Sequence, residues 1–330
     1  MTESDRAAAW SRYWASGSSA AAADAFAEQH EGPIHRFWSE AFATMQPDQR
    51  VLDLATGNGP LVQMLLDRCQ AGTLDMPQVE AVDLAELNPA WLAKYPGELA
   101  RRVTMRAGVR MESLPFAAAS FDWVLSQYGF EYADMEPAAG ELLRVLRGEG
   151  RAHLLLHHSG SRLVDVACEE VRHLQWLCAS EGLLAVARGM ANPLARAATP
   201  TGRAALANDA VANRLRQDFN AVLRELEQRC AASQLPDPLL EIRDAVAQAL
   251  SLAGPQGEAA ALAAIDSLAQ ALQDSVLRLS ELQSHALDEQ RLDALLALLG
   301  EGGRRPVAAQ PVHHAQGALM GWALRLHPRS

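Results

Sequence analysis

Between residues 50 and 158, short apolar runs alternate with longer stretches in which apolar positions recur every three or four residues. The short runs read as strands: "VLDLA" at 51–55, "VEAVDLA" at 79–85, "RVTMRAG" at 102–108, "FDWVLSQYG" at 121–129 and "RAHLLLHH" at 151–158. Between them, "PLVQMLLDRC" opens on a proline, which suits the first position of a helix. "NPAWLAKYP" predicts a short helix, and "EPAAGELLRVLRGEG" a longer one over 136–150, closed by glycine. Near-continuous apolar strands alternating with helices predict a parallel sheet covered on both faces.

The flanks have a helical period. In residues 1–47, Trp10 pairs with Trp14, and Ile34 with Phe37, Trp38 and Phe42, before Pro47 closes the segment. Residues 160–300 carry long apolar rows, among them Leu215, Phe219, Val222, Leu226 and Cys230, then Ile242, Val246 and Leu250. Prolines at 193, 200, 236, 238 and 255 divide this stretch into about four or five helices. The last thirty residues return to strands, "RRPVAAQPVHHAQ" and "GALMGWALRLHP". The expected fold is α/β: a doubly wound, seven-stranded, mostly parallel sheet with a large helical insertion after the fifth strand. Its segments are a helical cap at 1–47, a Rossmann-like core at 48–159, a helical insertion at 160–300 and final strands at 301–330. The insertion is expected to act as a lid or as a homodimer interface through its leucine-rich faces. Trp10, Tyr13, Trp14 and Arg36 are candidate lid contacts.

Composition narrows the partners. The net charge is −11, Lys94 is the single lysine, and the insertion's 12 arginines are interleaved with 18 acids. Nucleic-acid binding needs clustered cations to displace counterions, so no nucleic-acid partner is expected. No uninterrupted apolar run approaches the length of a membrane span, and "MTESDRAAAW" lacks the pattern of a secretory leader. A cytoplasmic location is expected. The four cysteines form no C-x-x-C pair, and no metal site is expected.

The chemistry is concentrated after the first strand, in "DLATGNGPLV". A dinucleotide fingerprint places a third glycine where Val62 stands, which disfavours a nicotinamide enzyme, and no lysine follows to cradle phosphates. Two glycines, Gly57 and Gly59, allow close backbone approach instead. Asp53 on the strand can meet an ammonium group, and Asp83, 24 residues past Gly59, can accept both hydroxyls of a ribose. That set suits a nucleoside bearing an amino acid.

These motifs resemble the class I, seven-stranded S-adenosylmethionine-dependent methyltransferases, in the small-molecule branch similar to ubiquinone and menaquinone methyltransferases. "VLDLATGNG" resembles that family's glycine motif and "VEAVDLAE" its ribose-binding acid. "MESLPFAAASFDWVLSQYGFEYAD" resembles its fourth-strand motif, and "ELLRVLRGEGRAHLLLH" the helix and strand after it. The resemblance implies S-adenosyl-L-methionine as cofactor, held by Asp53, Ala55, Gly57, Gly59, Asp83, Leu84, Met111, Glu112 and Gln127. One departure stands out. Arg110 occupies the position where the family places an aspartate for the adenine amino group, which leaves a non-catalytic scaffold with a vestigial pocket as the alternative to an enzyme.

Methyl transfer from a sulfonium is an in-line displacement that requires alignment and exclusion of water, with a base only where the acceptor arrives protonated. Candidates at the strand ends are Tyr128, Glu131 and His157, with His158 beside them; His313 and His314 read as surface residues. The expected acceptor is a small organic molecule methylated at O, N or C, since no [ND]-P-P-[YFW] turn follows the fourth strand.

Overall fold

The computed structural model describes residues 3–15, 32–300, 309–314 and 316–328. Two compact units divide them: residues 1–165 with 281–330, and residues 166–280.

The first unit holds a seven-stranded sheet in the order β3-β2-β1-β4-β5-β7-β6. Its strands are β1 Arg50–Leu54, β2 Gln78–Val82, β3 Val103–Arg106, β4 Phe121–Gln127, β5 Leu146–Leu156, β6 Gln310–His313 and β7 Leu319–Leu326. β1 to β5 pair in parallel, and β7 joins β5 and β6 antiparallel. The sheet is thus the doubly wound, mostly parallel one that the alternation of runs predicts.

Period-two alternation sends successive side chains to opposite faces. Leu52, Leu54, Val124, Leu154 and Leu156 pack on one face against α5 (Met135–Val145) and α13 (Glu289–Gly300). Val51, Trp123, Leu125 and Leu155 pack on the other against α2 (Pro33–Phe42) and α3 (Pro60–Gln70). Trp38 and Phe42 of α2 are fully buried there, and burying such a side chain contributes about 2–3 kcal/mol.

Several boundaries differ from the sequence reading. The helix expected over 136–150 ends at Val145, and β5 begins at Leu146. Gly148 and Gly150 are poor helix formers, and Arg147 is held along β4 by an ion pair to Asp122 at 2.7 Å. "NPAWLAKYP" forms a 3-10 turn over Ala90–Lys94. At the amino end α1 covers Glu3–Ala15; the expected helix between it and α2, and the start of the strand before β6, fall outside the described residues.

The second unit is helical and has its own core. Helices α7 (Leu183–Arg196), α8 (Pro200–Leu206), α9 (Ala210–Ala232), α10 (Asp237–Ser251) and α11 (Ala253–Gln256) lie within it, and the division falls inside α6 (Arg162–Cys178) and α12 (Glu258–His285). Leu226, Leu239, Val246 and Ile265 are fully or almost fully buried in that core. The helices outnumber the four or five that the prolines suggest. Pro193 sits inside α7 instead of ending it, while Asp209 starts α9 by accepting from the amides of Val211 and Ala212.

Candidate functional site

The chain reverses strand order at β1, sending β2 and β3 to one side and β4 and β5 to the other. Open α/β sheets bind ligands in the crevice that such a reversal leaves beyond the carboxyl ends of the strands. A cavity of about 150 Å³ lies there, within the first unit. Its walls are the turns that follow the strands: Ala55 to Gly57 after β1, Asp83 to Ala85 after β2, Gln127 to Gly129 after β4 and His157 after β5.

Two of these turns are built on positive φ. Ala55 and Gly57 have φ of 51° and 54°, and Tyr128 has 53°, values that L side chains rarely adopt. Strain of this kind collects at functional sites. Gly129 follows Tyr128 and lies so close to Ala55 that a Cβ on it would sit 2.5 Å from the alanine's own.

Asp83 braces the glycine turn. Its Oδ2 accepts from the Gly57 amide at 2.8 Å and its Oδ1 from the Ala85 amide at 2.8 Å. Burial raises its pKa, against the lowering effect of the backbone amides. The carboxylate, with about four lone-pair sites, retains acceptor capacity beyond these amides. Leu84, Met111 and Glu112 complete this end, and Glu112 Oε1 is fixed by the amide of Asp134 at 3.0 Å. Arg110 is there too, 3.7 Å from Glu112. Gln127 lines the middle, its Oε1 accepting from Trp38 Nε1 at 2.5 Å.

Asp53 and Gly59 lie outside the cavity wall. Asp53 sits within β1, is 2% exposed, and accepts from Thr56 Oγ1 at 2.6 Å. Burial pushes its carboxyl up to about 7, the Thr56 hydrogen bond acts against this, and the charge of Asp83 adds to it. Gly59 has φ of 75° and precedes α3; a Cβ there would meet the Trp91 indole at 2.8 Å.

At the other end, Glu131 and His157 form a buried pair. Glu131 Oε1 accepts from the His157 amide at 2.6 Å and contacts its Nδ1 at 2.7 Å. Glu131 is fully buried in the 3-10 turn Phe130–Tyr132, and its Oε2 has no hydrogen-bond partner among the described residues. Tyr128 stacks on the His157 ring at 4.3 Å and donates its hydroxyl to the Met320 carbonyl at 3.2 Å. Burial raises the Tyr128 pKa well above the usual phenol value, and the charge of Glu131 adds to the effect. The phenol therefore stays protonated and supports the histidine ring. His158 points elsewhere, stacked on Trp322 at 4.4 Å.

The cavity also has a wall that strand-end reasoning missed. Arg6, Ala7, Trp10 and Trp14 of α1 line it, with Tyr132 and Leu282. Arg6 donates to Glu281 at 2.5 Å and to the Tyr132 carbonyl at 3.2 Å. Of the candidate lid contacts, Trp10 and Trp14 reach the cavity, Tyr13 packs edge-on against both, and Arg36 lies beside β6. Arg6 and Glu281 stand 275 residues apart, and no local motif announces their pairing.

Residues 51–150 match a family model described as a methyltransferase domain. The demethylmenaquinone methyltransferase of Thermus thermophilus is 38% identical over 115 residues, covering 32% of this chain and 46% of the relative. The ubiquinone/menaquinone biosynthesis C-methyltransferase UbiE of Xanthomonas campestris is 34% identical over 131 residues, covering 37% of this chain and 49% of the relative. The chain thus spans about half the length of the curated relatives it matches. Among solved structures, the YcgJ protein of Bacillus subtilis is 23% identical, covers 43% of this chain and 59% of its own, and has a TM-score of 0.33.

The core therefore resembles the class I S-adenosylmethionine-dependent methyltransferases of the ubiquinone and menaquinone branch, and S-adenosyl-L-methionine is the cofactor of that domain class. The groups on the cavity wall suit it. A braced carboxylate with spare acceptor capacity matches a diol, and the turn beside it carries no side chain of its own but is covered by the Trp14 indole, 2.6 Å from where a Cβ on Gly57 would lie. Glu112, anchored by the Asp134 amide, offers a carboxylate at the end where the adenine would lie.

Proposed function

We propose that this protein transfers the methyl group of S-adenosyl-L-methionine to a small, largely apolar acceptor, with His157 as the proton acceptor. The observation that carries this reading is the placement of the His157–Glu131 pair in the same cavity as the Asp83–Gly57 brace.

The cofactor supplies an activated methyl group on a cationic sulfur. Asp83 would hold the ribose, and the Gly57 turn would let the amino-acid end lie against the backbone. Met111 and Glu112 would frame the adenine from one side, and Gln127 would stand midway along the cavity. Asp53 would act behind this wall, through Thr56 and the charge it shares with Asp83, and Gly59 by starting α3.

At the acceptor end the chain has two tasks. Glu131 fixes the His157 ring through Nδ1, which leaves Nε2 to take the proton of a hydroxyl or of an acidic carbon. Tyr128 and Tyr132 then supply aromatic walls that exclude water and hold a flat molecule. The relatives named for demethylmenaquinone and for C-methylation in ubiquinone/menaquinone biosynthesis support carbon as the methylated atom.

The test is transfer of labelled methyl from S-adenosylmethionine to a panel of hydroxylated aromatic acceptors. Label should appear in at least one product, and the Michaelis constant for the cofactor should be unchanged in His157→Gln while turnover falls. Transfer at the parent rate in His157→Gln contradicts the assignment of the base.

A further inference from the structure

A second cavity, of about 200 Å³, lies between α2 and the β6 edge of the sheet, within the first unit. It shares no lining residue with the cavity at the strand ends. Its origin is a mismatch of side-chain size. The stripe of α2 that meets this edge is Pro33, Arg36, Phe37 and Glu40, spaced by three and four as one helix face requires. Opposite it, β6 and β7 offer Val312 and Ala323, which are too small to fill the gap. Phe37, Val312 and Ala323 are buried and make an apolar floor.

Charge sits at the rim. Arg325 of β7 is oriented twice over: its Cζ stands 4.7 Å above the Phe37 ring, and its Nη2 donates to Glu40 Oε2 at 3.0 Å. That contact leaves most of the five N–H groups of the guanidinium to other partners. It also places a carboxylate beside the apolar floor, as a ligand's would be. Arg36 is exposed one turn before Glu40 and makes no hydrogen bond or ion pair among the described residues. Besides His313, the lining therefore carries two guanidinium groups against one carboxylate, in a chain whose net charge is −11.

Size and edge chemistry narrow the occupant. The volume falls below the roughly 300–1,000 Å³ of pockets for drug-sized ligands, so the occupant is small. An added strand is the other partner that a sheet edge invites. Pro311 stands in the middle of β6 without an N–H to offer, which interrupts such pairing.

We propose that this cavity binds a small organic monocarboxylate, with its carboxylate at Arg36 and Arg325 and its apolar body on Phe37, Val312 and Ala323. Guanidinium groups meet a carboxylate through paired hydrogen bonds, which gives the rim its selectivity. Charge balance favours one negative charge over two. A monoanion neutralises the rim with Glu40 in place, whereas a phosphate ester brings a second charge that Glu40 opposes. The site stands apart from the cofactor reading above and does not depend on it.

Titration of the full chain with benzoate, followed by ligand-observed NMR, tests the proposal, with benzamide as the neutral probe and phenyl phosphate as the dianionic one. Benzoate should saturate a single site, and benzamide should bind at least about tenfold more weakly. Arg36→Gln, at an exposed position, should weaken benzoate about tenfold or more. Glu40→Gln should act in the opposite direction and strengthen phenyl phosphate more than benzoate. Asp83→Ala, with the fold intact, should leave benzoate affinity unchanged, because that residue belongs to the other cavity. Failure of benzoate to saturate, binding no tighter than that of benzamide, or binding undiminished in Arg36→Gln overturns the site. Loss of benzoate binding in folded Asp83→Ala assigns the ligand to the strand-end cavity and overturns it too. Tighter binding of phenyl phosphate than of benzoate by the parent overturns the monocarboxylate.

Discussion

The amide of Gly57 donates to the Asp83 carboxylate at 2.8 Å, so the acid just past β2 holds the turn just past β1. One side chain thereby fixes two adjacent strand ends and faces the cavity between them. Removing it leaves the amides of Gly57 and Ala85 without their acceptor, at a cost of about 1–3 kcal/mol for each that stays dry. Asp83→Ala should therefore lower the unfolding free energy and weaken cofactor binding by about two orders of magnitude. Asp83→Asn retains an acceptor for one amide and should recover part of the stability but little of the affinity. Denaturant titration and calorimetry on both variants separate the two effects.

Glu131 contacts His157 Nδ1 and does not line the cavity, so under the proposed mechanism it is a positioning residue. Glu131→Gln should reduce turnover by about 10²-fold or more while leaving the dissociation constant for S-adenosylhomocysteine unchanged. A matched loss of cofactor affinity would show instead that the change had disturbed the strand ends.

Asp53 gives the fold a pH dependence of unusual sign. Its folded carboxyl is raised from 3.8 to about 7, so between these values the folded state binds more protons than the unfolded chain. Stability from this group is fully present below about pH 4 and is lost as pH rises through 7, up to about 4 kcal/mol in all. Asp83 is shifted in the same direction. Asp53→Asn should flatten that part of the curve, so the difference between parent and variant in chemical denaturation should narrow or reverse as pH rises from about 5 to about 8. A pH-independent difference contradicts the burial of an ionisable group at this position.

The close approach of Gly129 to Ala55 yields a paired prediction. Gly129→Ala would place two Cβ atoms 2.5 Å apart and should destabilise the fold by about 1–3 kcal/mol. Ala55→Gly relieves both the crowding and the positive φ of 51°, so the double variant should regain most of that loss. Thermal unfolding of the two single variants and the double variant measures the coupling directly.

The sheet is legible in the sequence because its buried strands are near-continuous apolar runs and its faces alternate residue by residue, as Leu52 and Leu54 against Val51 show. Gly57 and Asp83 are legible as a turn and an acid at neighbouring strand ends, because a backbone at φ of 54° favours glycine and the acid stands just past an apolar run. Asp53 shows the limit of that reasoning. Spacing places it near the strand end, but alternation and the Thr56 hydroxyl turn it into the interior. The end of α5 is blurred because Leu146 suits either element, and the Arg147–Asp122 pairing that accompanies the strand is a tertiary contact. Arg6, Glu281 and His285 carry no local signal at all. Their association is made by the fold bringing α1 and the last turn of α12 to one rim.

The central claim is that the Asp83–Gly57 brace forms part of an adenosyl site. Calorimetric titration of the folded parent protein with S-adenosylhomocysteine tests it most directly. A single saturable site that disappears in Asp83→Ala is the predicted result. Heat no different from buffer in the parent, or binding that survives Asp83→Ala undiminished, would contradict it.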